Sequence, residues 1–451
     1  MNPLFNLDDF ISRHVTERAE SLFLKDIREN ETALNELIEG KSALVIGGAG
    51  SIGSSFIKAL LHFHPARLVV VDINENGLTE LTRDLRSTAG LVVPPHYLTY
   101  PINFGDAVFE KMLRREGPFE IVANFAAHKH VRSEKDQYSI EAMLENNVLK
   151  AGRLLELLLE NPPEHFFCVS TDKAANPVNV MGASKKLMEE VILAYSRHIP
   201  ITTARFANVA FSNGSLPAGF LERLMKRQPL SAPMDVKRYF VSPEESGQIC
   251  LLACMLGNPG EIFFPKLLEE RDMRRFSEIA TALLQSLGLE PFQCATEKEA
   301  KEWRLKTGGL ALGTGDWELR TEDCGLRTED CGLRTEDCGL RTEDCGLRTG
   351  DCGLGMRPYP VYYFHSDTSG EKPFEEFFTE DEELDLTRFE SLGVIKNAPR
   401  QGLDAIAGMF AALEKAFEKE DISKHEIVEL MQRFVPNFEH IETGKGLDEK
   451  M

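Results

Sequence analysis

Residues 42–63 read SALVIGGAGSIGSSFIKALLHF, and the fold turns on how this stretch divides. SALVIGG (42–48) is a short apolar run ending in glycine, the pattern of a buried strand. SIGSSFIKALLHF (51–63) opens a helix directly after it. Between them Gly47, Gly50 and Gly53 stand at three-residue intervals. A strand, glycine turn and helix in this order let backbone approach a pyrophosphate, with the unpaired N–H groups of the helix N-terminus facing it. Further strands follow at RLVVVD (67–72), HYLTYPIN (96–103), EIVANFAA (120–127), HFFCVST (165–171) and ITTARFANV (201–209). Helical stretches separate them, one from about Ser139 to Glu160 and another starting near Met181. Buried strands alternating with helices specify an α/β protein with a Rossmann-like, doubly wound, mostly parallel sheet.

Asp72 ends the second strand, 19 residues after Gly53. An acid there accepts hydrogen bonds from an adenosine ribose. No arginine follows in DINENG (72–77) to receive a 2′-phosphate, so NAD is expected in preference to NADP. The plainer alternative is a structural glycine turn that holds no cofactor.

The bulk composition is that of a globular protein, 42% hydrophobic and 27% charged. With 51 basic against 72 acidic residues the net charge is −21, the wrong sign for a nucleic-acid or anionic-membrane binder. No apolar run approaches the roughly 18 residues of a membrane span, and the polar N-terminus does not read as a signal peptide. A cytoplasmic protein is the expectation. Of nine cysteines, five lie in one repeat; Cys168, Cys250, Cys254 and Cys294 have no C-x-x-C spacing. Three of these sit in apolar runs and read as buried reduced thiols, with neither a disulfide framework nor a metal site.

Residues 1–40 read as an N-terminal extension of one or two amphipathic helices, carried by Phe10, Ile11, Val15, Leu22, Phe23, Leu24 and Ile27. Residues 41–295 form the dinucleotide-binding core with its substrate elements. An insertion at 296–358 contains the seven-residue repeat LRTEDCG (319–353). One leucine and one helix-breaking glycine per unit leave little to bury, so the insertion is expected to be a surface loop and not a thiol ladder or metal array. A return segment, 359–395, precedes a C-terminal helical extension at 396–451. Its amphipathic stripes make self-association plausible.

STDKAANPVNVMGASKK (170–186) poses the chemical question. Rossmann oxidoreductases acting on hydroxyls usually carry a tyrosine four residues before a lysine here. Lys185 is present, but Met181 stands in the tyrosine position. The glycine loop, Asp72, NFAAHKHV (124–131) and STDKAANPVNVMGASK together resemble the extended short-chain dehydrogenase/reductase superfamily. Within it they look like the bacterial UDP-N-acetylglucosamine 4,6-dehydratases of polysaccharide biosynthesis. RFANVAFSNGSLP (205–217), KRYFVSPEES (237–246) and SGEKPFEEF (369–377) are similar to further segments of that family.

The resemblance implies a reaction in which the sugar is oxidised at carbon 4, water leaves across carbons 5 and 6, and the hydride returns to carbon 6. It implies that Asp172 is the acid for the departing 6-hydroxyl and Lys173 the base for the carbon-5 proton. Thr171 would hydrogen-bond the 4-oxygen and Lys185 would hold the nicotinamide ribose. A branch of the family carries methionine at the position of Met181 and remains active. By the same resemblance NAD is lined by Gly47, Gly50, Ser51, Ile52, Gly53, Asp72, Asn103, Ala126, Ala127 and Lys185. The nucleotide sugar, with UDP as its nucleotide, meets Lys129, Asn208, Ser215, Arg238 and Glu371. Three residues depart from the family pattern: Asn103 for an aspartate, Ala207 for a glycine, and Arg132 for a proline. Two alternatives stay open, a nucleotide-sugar epimerase and a non-catalytic dinucleotide-binding protein. Asp172–Lys173 favours elimination, since a 4-epimerase needs no acid at the 6-hydroxyl.

Overall fold

The computed structural model describes residues 5–306, 357–366, 372 and 376–442. The repeat at 319–353, with its five cysteines, lies outside them, as does Glu371. Strands β1 (Ser42–Ile46), β2 (Arg67–Val71), β3 (His96–Tyr100), β4 (Ile121–Asn124), β5 (His165–Val169) and β6 (Ile201–Ala204) form a parallel sheet in the order β3-β2-β1-β4-β5-β6. The register sets Leu44 beside Val69 on one side and Val122 on the other. Helices cover both faces, so β1, β2, β4, β5 and β6 are buried almost end to end and their sequences run apolar without alternation. Each fully buried Val, Leu or Ile contributes roughly 1.5–3 kcal/mol. At the edge, β3 is partly exposed and correspondingly polar (HYLTY).

Among the described residues nine more strands follow: β7 (Asn208–Val209), β8 (Leu230–Pro233), β9 (Lys237–Val241), β10 (Ile262–Pro265), β11 (Met273–Arg275), β12 (Leu289–Gln293), β13 (Arg357–Phe364), β14 (Leu384–Asp385) and β15 (Leu392–Ile395). β10 extends the large sheet in parallel beside β6, and β15 and β14 close it antiparallel. The others make two small sheets, β11-β9-β7 and the parallel β12-β13-β8. These sit over a second core built on Phe220, Phe240, Leu283, Tyr359 and Val361.

Three segments differ from their sequence reading. The N-terminal stretch forms four helical segments, Leu7–Phe10, Ile11–Val15, Leu24–Glu29 and Glu31–Ile38, and Glu17, with a left-handed φ of 52°, turns the chain after the second. Phe10, Ile11 and Val15 then join the smaller core, while Phe23, Leu34 and Ile38 join the larger one. Between them Arg18 forks onto Glu245 (2.7 Å) and Asp272 (2.8 Å), both buried. ITTARFANV breaks after Ala204, since Arg205 turns into the interior and Asn208–Val209 pairs with β9 instead. Glu297–Lys306, placed in the expected loop, is a helix; Ala300 is fully buried and Trp303 lies against Phe292 with ring centroids 3.9 Å apart.

The C-terminal helices Leu403–Phe417 and Lys424–Phe434 fall where the periodicity placed them, the second opened by a capping box of Ser423 and Glu426. They pack on Lys150–Leu158 and Val180–Ala194: Phe410 fills the space left by Gly152, and Gln401 donates to Glu190 (2.9 Å). Among the described residues, no helix is long and apolar enough to cross a membrane.

Candidate active site

The strand order reverses between β1 and β4, and a crevice opens at the carboxyl ends of the strands there. Its cavity, about 410 Å³, is lined by Gly47, Gly50, Ser51, Ile52, Gly53, Asp72, Asn103, Ala126, Ala127 and Lys129, all anticipated from sequence. The glycine turn is shaped for close approach. Gly47 has φ +76° and a Cβ there would lie 2.5 Å from the Ala126 nitrogen; one on Gly53 would strike the Gly47 carbonyl oxygen. Helix Ser51–Leu61 starts at Gly50 with no side-chain cap, which leaves its first N–H groups for an anion.

Asp72 sits opposite this turn. Its carboxylate accepts from the N–H of Ala49 (3.0 Å) and of Asn74 (2.9 Å), which fixes both oxygens at the cavity wall. Asn103 commits its Oδ1 to the Gly105 N–H (2.9 Å). The absence of a side chain at Gly47, Gly50 and Gly53, the uncapped helix start and the held carboxylate together fit a dinucleotide.

Beside the crevice, β5 ends in the Ser170–Lys173 turn. Asp172 Oδ1 collects three donors: Thr171 Oγ1 (2.7 Å), the Lys173 N–H (2.9 Å) and Lys173 Nζ (3.0 Å). Asp172 is 2% exposed, and its Oδ2 is buried with no hydrogen-bond partner among the described residues. The acid and the base anticipated from sequence are therefore in contact as an ion pair.

Helix Val180–Ala194 runs beneath them, its first turn capped by Asn179 on Gly182. Met181 is buried in the main core and offers no titratable group. Lys185 is buried too; Nζ donates to the Val169 carbonyl (2.8 Å) and is not on the cavity wall. Burial draws its ammonium below the ordinary lysine range, opposed by Cys168 and Glu189. The neighbouring Cys168 thiol is pushed up to about 11, again by burial.

The remaining anticipated residues are spread more widely. Lys129 Nζ donates to the Asn213 carbonyl (2.9 Å), and the Asn213 N–H donates to Ser51 Oγ (2.8 Å). The 210–215 loop is thus tied to the glycine turn. Ser215 caps helix Leu216–Met225, and Asn208 lies on β7. Arg238, on β9, donates to the carbonyl of Lys372 (3.0 Å), which brings the return segment against this side.

A model of the family described as polysaccharide biosynthesis protein matches residues 43–310. The chain belongs to that family. An uncharacterized membrane protein of Methanocaldococcus jannaschii is 32% identical over 57% of this chain and 76% of its own length. A probable polysaccharide biosynthesis protein of Bacillus subtilis is 28% identical over 54% of the chain, which spans only 41% of that relative. An inverting UDP-N-acetylglucosamine 4,6-dehydratase of Campylobacter jejuni is 27% identical over 51% of this chain and 68% of its own. Among solved structures, Pen from Bacillus thuringiensis shares the fold with a TM-score of 0.56 at 16% identity, over 84% of this chain and 98% of its own.

In this member of the polysaccharide biosynthesis family the site also contains residues that sequence reasoning passed over. Glu145, Asn146 and Lys150 line the cavity from a helix interrupted by the π-turn Glu145–Leu149. The next residue, Asn147, bridges the His128 backbone and Ser184. Polar residues clustered in the otherwise apolar run MLENNVLKAGRLLELL (143–158) were the available signal. Arg205 was missed as well. It forks onto Glu189 (2.8 Å) and Glu382 (2.9 Å), and Glu189 accepts from Ser170 Oγ (2.6 Å), one residue before the Thr171–Lys173 cluster.

Proposed function

We propose that the chain is an NAD-dependent nucleotide-sugar 4,6-dehydratase acting on UDP-N-acetylglucosamine. Residues 41–295 and 359–395 supply its catalytic unit, and 296–358 is an insertion. The observation that carries the reading is the Asp172–Lys173 contact at the end of β5, beside the dinucleotide-shaped crevice. NAD, when bound, supplies the redox chemistry at the sugar, oxidation at carbon 4 and the later reduction at carbon 6.

The 4-keto group acidifies the carbon-5 hydrogen, and hydroxide leaves carbon 6 only if it is protonated. The pair carries one proton. Its transfer from Lys173 Nζ to the Asp172 carboxyl creates the amine base and the carboxylic acid together, and Oδ2 is the oxygen that no other donor occupies among the described residues. Lys173 takes the carbon-5 proton while Asp172 delivers its own to the 6-hydroxyl, and water departs. The Lys173 ammonium then returns a proton to carbon 5. One proton from solvent, equal to that released by the 4-hydroxyl, restores the ion pair. Because Asp172 is buried, the cluster must open toward the sugar for this delivery. Met181 leaves no side-chain base at the tyrosine position, so the 4-hydroxyl proton leaves past Thr171 to water.

The test is proton NMR of the protein with UDP-N-acetylglucosamine and NAD in heavy water. A 6-deoxy methyl signal with deuterium at carbon 5 is expected. Lys173→Met should lower turnover by about 10²–10⁴-fold with NAD binding intact. Unchanged turnover in that variant would remove Lys173 from the chemistry.

A further inference from the structure

The C-terminal end of the described chain crosses the turn that follows Lys173. Asn437 Nδ2 donates to the Ala175 carbonyl (3.1 Å), the Glu439 N–H to Pro177 (3.2 Å) and the Ile441 N–H to Val178 (3.0 Å). This strap therefore holds the backbone that joins Asp172–Lys173 to helix Val180–Ala194. Glu134 reaches the same place from the other side, its Oε2 accepting from the Val180 N–H at 2.7 Å.

Two buried atoms in this arrangement lack hydrogen bonds among the described residues, Glu134 Oε1 and His440 Nε2. They are 3.9 Å apart, with both side chains nearly enclosed. With the neutral His440 imidazole protonated at Nδ1, its Nε2 would face the ionised Glu134 carboxylate as acceptor against acceptor, which is unfavourable, and one proton between them turns the pair into a donor and its acceptor.

We propose that Glu134 and His440 are positioning residues, which share a single proton and thereby clasp the Asn437–Ile441 strap onto the 175–180 turn. The clasp holds the Asp172–Lys173 pair in register with helix Val180–Ala194, and in that respect it rests on the catalytic reading above.

The surrounding charges set its pH range. Lys424 and Glu442 face both members, and they are bonded to each other; Glu442 Oε2 is also 3.9 Å from His440 Nε2. Burial raises the Glu134 carboxyl to about 7, against the Val180 N–H and Lys424, with Glu442 adding to the rise. Burial lowers the His440 imidazole, helped by Lys424 and opposed by Glu442. The proton therefore rests on Glu134, with neutral His440 accepting. A carboxyl raised in the folded state contributes its stabilisation at low pH and loses it as pH rises through about 7. The clasp is closed in mild acid and released above neutrality.

Amide hydrogen exchange of residues 175–180 in the full chain tests this, read at about pH 6 and about pH 8, corrected for intrinsic exchange and referenced to peptides from β1 and β5. Protection in the wild type should fall about tenfold or more between the two, in this turn and not in the reference strands. Glu134→Gln should stay protected at both, because its amide donates to His440 and its oxygen still accepts from Val180. His440→Ala should be unprotected at both. Equal exchange of wild type and His440→Ala in this turn at about pH 6, or a Glu134→Gln variant as pH-sensitive as wild type, overturns the clasp. Exchange does not depend on turnover, so the clasp can stand if the dehydratase reading fails. If that reading holds, His440→Ala should lower kcat with little change in KM.

Discussion

The two halves of the site are built on different scales. The cofactor side is local: strand, glycine turn and helix span residues 42–61 without interruption, and Asp72 closes them from the next strand. The side proposed for the substrate is composite. Arg18, Glu245 and Asp272 lock three segments together, Arg205 locks three more, and β13 enters between β12 and β8 from beyond the repeat. A dinucleotide can be held by backbone geometry, which a few glycines encode. The other side is assembled from segments that buried ion pairs hold together across the chain.

Breaking the largest of these pairs gives the sharpest contrast. Arg205→Met strands the Glu189 and Glu382 carboxylates in the interior, and loss of one partner from such a pair costs about 3–5 kcal/mol. Calorimetry should show the destabilisation, with exchange concentrated in 376–395 and NAD affinity per folded molecule little changed. An equal loss of NAD affinity would erase the distinction between the halves. Gly53→Ala should act in the opposite sense. Its Cβ meets the Gly47 carbonyl, and the resulting strain of about 1–3 kcal/mol should weaken NAD binding about 10–100-fold by titration while the exchange of 376–395 stays as in wild type. Removal of 319–353 should have the smallest effect. Loop closure depends only logarithmically on length, so melting should shift by less than about 1 kcal/mol and turnover should persist.

The same division decides what the sequence discloses. Doubly covered strands announce themselves as apolar runs, and β1, β2, β4 and β5 lie within the stretches read for them. The terminal helices Leu403–Phe417 and Lys424–Phe434 show plain periodicity for the same reason, one face buried along their length. Arg205 defeats such reading. A charge inside ITTARFANV looks like a tolerated interruption, and only the position of Glu382 in space reveals that it ends the strand. In the N-terminal stretch, the apolar spacing of Phe10, Ile11 and Val15 was visible, but not that they serve a different core from Phe23 and Leu34. The contact between Asp172 and Lys173 follows from adjacency at a strand end. That Asp172 Oδ2 is buried without a hydrogen-bond partner among the described residues is not visible in any pattern near residue 172.

The position of β13 also bears on synthesis at the ribosome. It is the middle strand of its sheet, flanked by β12 and β8, yet it is translated after both and after the whole repeat. Until Arg357–Phe364 emerges, β8 and β12 each present an unpaired edge, and elongation through the repeat prolongs that exposure by a time on the order of seconds. The charged, glycine-punctuated units LRTEDCG are poor partners for such an edge. A hydrophobic insertion of the same length would have offered the nascent chain a wrong strand to pair with before the right one arrived.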